Sequence, residues 1–338
     1  MAGAPSVSWW KRARRRGEAV LCAAGFLVCP RIPYSLLVGL SRVAGWLGYV
    51  FARKERRVAL ANLELALGAS LPEVERRRVA RRSFQSFART ALESLASERL
   101  ARDGLARRFE FEPGSLELLR EMVGRGRGLL ALTFHYGNWE WLSLAWGMAG
   151  FPLLGVSQPI KNPWVEARFR RHREHCGHRL IHRSHGSRTA GPLYRELRKG
   201  GIVGLMVDLN SSAEEGGAFF DFFGVPALTT RAVGFLAMRT GAPVVCTVAW
   251  PSGGGRYRAM IGPEIIYDRE ADPVTEGDRI TRAWMSECER VIRLRPGSWM
   301  WAYKRWKVRP TLDSCGFPFY SFHEPNLAAT LARPGGFR

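Results

Sequence analysis

The chain has 338 residues, 46% of them hydrophobic, and carries 51 Lys and Arg against 30 Asp and Glu for a net charge of +21. That length does not require two cores, the apolar share is enough for a sizeable one, and the basic surface attracts polyanions: nucleic acid, anionic lipid headgroups, phosphorylated sugars or an acidic carrier protein. Cys22, Cys29, Cys176, Cys246, Cys288 and Cys315 are scattered without a Cys-x-x-Cys pair, which argues against a disulfide framework and suits reduced thiols in a cytosolic compartment.

The N-terminus opens with a basic cluster, Lys11, Arg12, Arg14, Arg15 and Arg16. Apolar stretches follow at 19–29 and 34–52, separated by Pro30-Arg31-Ile32-Pro33 and interrupted at Arg42. Neither is a clean span of about 20 apolar residues. The basic flank suits a signal peptide, but the small-residue cleavage pattern is missing and the apolar region resumes after the prolines. The pattern favours a membrane-seated helical hairpin, or two helices lying in the interface on the cytoplasmic face, over a buried helix of a soluble protein. Residues 1–52 thus read as a membrane-associating unit, 53–312 as an α/β domain whose part 53–123 is mostly helical, and 313–338 as an irregular tail.

Residues 53–105 read as helical and strongly basic. Ser70-Leu71-Pro72-Glu73 is a helix start with proline in the first turn, and Val74, Val79, Phe84, Phe87, Leu92 and Leu95 supply an apolar face. The arginines between them make a solvated face, or one that meets lipid phosphates if turned to a membrane.

From Gly124 onward, short apolar strands alternate with helices. Strands are expected at 128–134, 151–157, 202–207, 243–250 and 256–261, and helices at 138–148, 163–176, 191–198, 229–239 and 275–293. This alternation predicts an α/β fold with a mixed or mostly parallel sheet flanked by helices. The glycine-rich Gly124-Arg125-Gly126-Arg127-Gly128 precedes its strand instead of following it, so it reads as a turn and not a nucleotide loop.

The strand at 128–134 ends in His135-Tyr136-Gly137-Asn138-Trp139-Glu140. A histidine at the carboxyl end of a strand, facing a helix start, stands where open α/β sheets bind ligands. There an imidazole serves as a general base, or is a satisfied structural residue. A carboxylate at Glu140 suits fixing the tautomer of His135, and free N–H groups at the helix start suit an oxyanion. Asp208 also ends an apolar strand, so it converges on the same sheet edge; it orients a sugar or amide group, or caps a loop.

Two further clusters carry alternatives. His172, His175, Cys176, His178, His182 and His185 include ligand-like spacings, but the interleaved arginines oppose a cation, so no metal is assigned. Trp299, Trp301 and Trp306 lie among Lys304, Arg305 and Lys307. Such interleaving suits a membrane headgroup layer or single-stranded nucleic acid, and core packing explains it equally.

His135 and Glu140, a histidine and an acid separated by four residues, match the defining pattern of the glycerolipid acyltransferase superfamily, and the string His-Tyr-Gly-Asn-Trp-Glu resembles the bacterial lipid A biosynthesis (late) acyltransferases. Gln158-Pro159-Ile160-Lys161-Asn162-Pro163 is similar to the family's second block, with Gln158 where arginine is usual. Residues 201–208 with Phe222-Phe223-Gly224-Val225-Pro226-Ala227 resemble the third, with Leu209 in place of glutamine. Pro296-Gly297-Ser298-Trp299-Met300-Trp301-Ala302-Tyr303-Lys304-Arg305-Trp306-Lys307 is similar to the C-terminal signature, with Tyr303-Lys304 for a common His-Arg pair.

The resemblance runs from about residue 42 to 310 and implies a glycerol-3-phosphate acyltransferase-like fold. It implies transfer of a fatty acyl chain from acyl carrier protein, or acyl-CoA, to a hydroxyl of a phosphorylated glycolipid such as a lipid A precursor. It further implies His135 and Glu140 as the catalytic pair. Asn138, Gln158, Lys161, Asp208, Arg231, Lys304 and Arg305 are the substrate-binding candidates, with Arg305 foremost for phosphate. No cofactor, metal or nucleic acid is called for, and the implied location is the cytoplasmic face of the bacterial inner membrane. A lysophospholipid, a phosphoinositide mannoside or an aminolipid is the alternative acceptor, and a nucleic-acid-binding protein the non-enzyme alternative.

Overall fold

A computed structural model describes residues 17, 20, 22–102, 104–160, 162–182, 187–311 and 316–324. The basic cluster at 11–16, Lys161, His185 and Cys315 lie outside the described residues.

Two helices come first, α1 (Cys22–Arg31) and α2 (Tyr34–Phe51), separated at Pro33. Next come α3 (Arg53–Leu67) and the long α4 (Glu73–Arg102). Helix α2 lays Leu37, Ser41 and Gly45 along α4, one residue per turn. Gly45 lies so close to the Gln85 backbone that a Cβ would overlap it. The opposite face of α2 is apolar and exposed at Leu36, Leu40, Val43, Trp46, Leu47 and Phe51. The helix is long and apolar enough to cross a membrane, with 17% of it buried.

Of the apolar face expected on α4, Val79 is buried and Phe84, Leu92 and Leu95 pack against the cores, but small and polar residues make up most of what the helix buries. Val74 and Phe87 are exposed, while Ala80, Ser83, Thr90, Glu93, Ser94, Ala96 and Ser97 are buried. Small and polar side chains suit this face because it meets backbone groups, not a wall of apolar side chains: Ser83 donates to the Trp299 carbonyl and Thr90 to that of Gly137.

The seven-stranded sheet has the order β1-β9-β8-β2-β5-β3-β4. Its members are β1 (Phe109–Phe111), β2 (Leu129–Thr133), β3 (Leu153–Ser157), β4 (Arg179–His182), β5 (Ile202–Met206), β8 (Val244–Gly253) and β9 (Arg256–Ile261). All neighbours are parallel except β8 and β9, so the expected mostly parallel sheet is what forms. Alternation along β2 feeds both faces: Leu130 and Leu132 enter one core, Leu129 and Ala131 the other. The first core lies under α3, α8 (Ser187–Arg198), α9 (Ala232–Thr240) and α10 (Pro273–Leu294). The second lies under α4, α5 (Ser115–Gly124) and α6 (Trp139–Met148). Helix α7 (Pro163–His175) precedes the edge strand β4.

Helix α5 falls in the part expected to be mostly helical, whereas strands β1 and β4 and the hairpin of β6 (Gly217–Phe222) and β7 (Val225–Thr230) were not expected from the sequence. The hairpin turns at Phe223-Gly224, both at positive φ (55° and 74°), the pairing a tight two-residue turn favours. Strand β7 takes Thr229 and Thr230, which the helix expected at 229–239 had claimed. Beyond the signature, β10 (Val308–Arg309) pairs with β11 (Phe322–His323), so a two-residue strand lies within the stretch 313–338 expected to be irregular.

Candidate active site

Adjacent strands bring the site together. Thr133 of β2 and Met206 of β5 are register partners, so the residues two beyond each, His135 and Asp208, leave the same sheet edge side by side. The Asp208 carboxylate accepts from His135 twice, from Nδ1 at 2.9 Å and from the backbone N–H at 2.9 Å. It also accepts from Trp299 Nε1 at 2.9 Å. An ionised carboxylate only accepts, so the proton of a neutral His135 sits on Nδ1 and the lone pair of the ring is left on Nε2. His135 keeps 15% of its side chain exposed against 5% for Asp208. The Trp139 ring stands edge-on to the imidazole at 4.9 Å.

Burial disfavours the imidazolium, but the charge and hydrogen bond of Asp208, with the charge of Glu140 behind, outweigh it and hold the His135 pKa above its ordinary value. Burial likewise opposes ionised Asp208, and His135 with the three hydrogen bonds reverses that, so its pKa is lowered.

The loop between His135 and α6 is held on three sides. Gly137 N–H donates to Ser298, Met300 N–H to His135 and Asn138 N–H to Ala249. Gly137 sits at φ 55° with the Ala249 carbonyl where a Cβ would be, so glycine alone fits.

Several expected site residues take other roles. Glu140 does not hydrogen-bond His135; it pairs with Arg173 of α7 at 2.6 and 3.2 Å. The first turn of α6 points it at the helix alongside, and the sheet register has already given His135 an acid. Asn138 is fully buried, caps α6 by accepting from Trp141 N–H, and donates to Glu93, so its side chain is turned into the interior. Arg305 is 1% exposed. It donates to the Leu228 carbonyl, Asn210 and Thr229, and its Nε has no partner. Arg305 thus lies in the interior and not on the surface expected of a phosphate ligand, pinning the chain after Asp208 to β7.

Arg231 is half-buried and makes two bonds of 2.7 Å to Asp278. Lys304 is half-buried with Nζ 5.5 Å from the Tyr320 ring centroid. Gln158 is exposed just past β3, on the same sheet edge as Asp208.

Trp299, Trp301 and Trp306 are all buried, so they pack the core instead of facing headgroups or bases. Trp299 and Trp301 meet edge-to-face at 4.7 Å, and Phe222 reaches Trp299 and Trp306 at 5.8 Å. His178 is an internal staple: Nδ1 accepts from Leu153 N–H and Nε2 donates to the Ser143 carbonyl, which leaves no nitrogen for a metal. Among the described residues no cluster of His, Cys, Asp and Glu is placed to hold a metal ion.

The sequence reading missed Arg173 and Trp299 as neighbours of the site. Arg173 lies 33 residues from Glu140, and no spacing rule links them. Trp299 was visible within the C-terminal signature, but its indole could be tied to Asp208 only through the fold.

The family model described as bacterial lipid A biosynthesis acyltransferase matches residues 6–308. The lipid A biosynthesis lauroyltransferase of Escherichia coli is 26% identical over 284 residues, covering 83% of this chain and 88% of that protein. The palmitoleoyltransferase of the same organism is 25% identical over 287 residues, covering 84% and 89%. The phosphatidylinositol mannoside acyltransferase of Mycobacterium tuberculosis is 26% identical over 227 residues, covering 66% and 69%. A family model matched over nearly the whole chain, with relatives covered over most of their length, makes this protein an O-acyltransferase belonging to the bacterial lipid A biosynthesis acyltransferase family.

Proposed function

We propose that this protein transfers a fatty acyl chain from acyl carrier protein, or acyl-CoA, to a hydroxyl of a phosphorylated lipid A precursor at the cytoplasmic face of the inner membrane. The observation that carries the reading is the Nδ1–Asp208 bond, which leaves Nε2 of His135 free at the sheet edge. Nε2 takes the proton of the acceptor hydroxyl as its oxygen attacks the thioester carbonyl. The tetrahedral oxyanion collapses, the C–S bond breaks, and the imidazolium returns the proton to the departing thiolate. Asp208 holds the imidazole and balances the imidazolium, while Glu140, fixed by Arg173, adds a second negative charge nearby. The first N–H groups of α6 have no acceptor within the helix and are the donors proposed for the oxyanion. No acyl-enzyme is required.

Gln158 and Lys304 remain the substrate contacts proposed, both outside the hydrogen-bonded centre. A net charge of +21 suits an acidic carrier and anionic headgroups. The exposed apolar face of α2 suits burial among headgroups and upper acyl chains, with the other face packed on α4.

The resemblance to a phosphatidylinositol mannoside acyltransferase favours one second reading, a mannosylated phosphoinositide acceptor. The test is mass spectrometry of lipids from cells lacking the gene, complemented with the natural chain or with His135→Ala. The reading expects one acyl group missing from lipid A and restored only by the natural chain. A change confined to phosphoinositide mannosides selects the second acceptor. Full restoration by His135→Ala rejects the mechanism.

A further inference from the structure

Glu93 sits 1% exposed in the middle of α4, and four donors converge on its carboxylate. Oε1 accepts from Tyr34 Oη–H at 2.6 Å and from Arg89 Nε–H at 2.8 Å. Oε2 accepts from Asn138 Nδ2–H at 2.7 Å and from the Tyr257 hydroxyl. Arg89 closes the ring by donating to Tyr34 Oη at 2.9 Å. A buried charge is tolerated when its hydrogen bonds are saturated, yet an apolar set of the same volume would cost less to bury. The reaction assigns Glu93 no chemical step.

Asn138 supplies the link to the site. It lies three residues after His135, and both ends of its side chain are committed: Oδ1 accepts from Trp141 N–H at the start of α6, and Nδ2 donates to Glu93. One turn earlier on α4, Thr90 donates to the Gly137 carbonyl at 2.7 Å. The segment between His135 and Glu140 therefore hangs from two side chains of one helix. The same carboxylate also fixes Tyr34, the first residue of α2.

We propose that Glu93 is a positioning residue for acyl transfer, setting through Asn138 where His135 stands relative to the reacting hydroxyl. The charge is needed because a carboxylate accepts from all four donors at once. A glutamine has one acceptor oxygen, and its NH2 would face another donor. A displacement of about 1 Å at a reacting group can cost on the order of 100-fold in rate. Glu93 touches no substrate, so the loss falls on kcat and not on binding. The proposal rests on His135 as the base.

The experiment is steady-state kinetics on the full chain in detergent micelles, with dodecanoyl-acyl carrier protein and a lipid A precursor as probes. The variants are Glu93→Gln, Asn138→Ser, the double variant and His135→Ala, each with a melting curve. Serine at 138 keeps a helix cap but cannot reach Glu93. In folded Glu93→Gln, kcat falls at least about 10-fold with both KM values within about twofold, a split that a merely structural residue would not give. Asn138→Ser falls similarly, and the double variant is no worse than the weaker single, because both break one link. Near-natural kcat in folded Glu93→Gln, or losses that multiply in the double variant, overturns the proposal. If Glu93→Gln does not fold, Asn138→Ser decides, and natural kcat there overturns it. An active His135→Ala rejects the base itself, a failure distinct from that of Glu93.

Discussion

Asp208 accepts from both the ring and the backbone N–H of His135, so one carboxylate fixes the tautomer of the imidazole and the direction in which the chain leaves the sheet. The backbone bond would survive a change of acid to amide, since an amide oxygen still accepts. The ring bond would not survive in the same form.

Asp208→Asn therefore isolates the tautomer. An asparagine NH2 beside Nδ1 donates to it, which puts the imidazole proton on Nε2 and removes the base. The expected loss in kcat is at least about 100-fold, with melting temperature little changed. Asp208→Glu, whose longer side chain still carries an acceptor-only group, is expected to recover part of it. Turnover of Asp208→Asn within a few-fold of the natural enzyme would mean that Asp208 does not set the tautomer.

The pH profile follows from the raised His135 pKa. The base works neutral, so kcat/KM rises with pH and reaches half its plateau above the ordinary histidine value of about 6.5. Glu140 contributes to that elevation. Glu140→Gln removes its charge and leaves the Arg173 cation less compensated; both effects disfavour the imidazolium, so the acid limb moves to lower pH. A limb that moves to higher pH, or stays in place, would separate Glu140 from the titration of His135.

How much of this was legible depends on range. The strand ending in His135 and the strand ending before Asp208 could be read from short apolar runs, and their convergence follows from a parallel sheet. The pairing of Glu140 with Arg173 could not, because helix spacing predicts neighbours three or four residues apart, not 33. The burial of Arg305 was not legible because a basic residue beside motif aromatics reads as surface, while here its guanidinium lies against the Phe222 ring in the interior. On α4 the apolar period showed Val79, Phe84, Leu92 and Leu95, but the buried Ser83, Thr90, Glu93, Ser94 and Ser97 carry no hydrophobic signal. The turn between strands β6 and β7 and the start of β7 are formed by the second half of the third motif, and the turn depends on a phenylalanine at positive φ, which residue preference does not anticipate.

Arg305→Ala tests the reassignment of that residue. Removing the guanidinium leaves Asn210, Thr229 and the Leu228 carbonyl without their donor in the interior. The expected cost is roughly 2–4 kcal/mol of folding stability, read from urea unfolding. In the fraction that stays folded, KM for donor and acceptor and its salt dependence should stay at natural values. A raised KM with a flattened salt slope, at unchanged stability, would return Arg305 to the substrate.

The outer face of α2 gives the last test. Leu40 and Val43 are exposed, and their helix is held to α4 by the opposite residues Leu37, Ser41 and Gly45, so a charge at 40 or 43 need not disturb the fold. Binding to vesicles of phosphatidylglycerol and phosphatidylethanolamine should have two parts. One is a Coulomb attraction that salt screens over about 10 Å at 0.1 M; the other is an apolar part that salt leaves intact. The natural chain should then be only partly stripped from vesicles by 1 M salt, a condition at which the screening length is about 3 Å. The variant Leu40→Asp with Val43→Asp should still bind at low salt through the arginines but come off almost wholly at high salt. Equal salt resistance in the two proteins would mean that another surface carries the apolar contact. A natural chain that stays in solution with vesicles at low salt would reject membrane seating altogether.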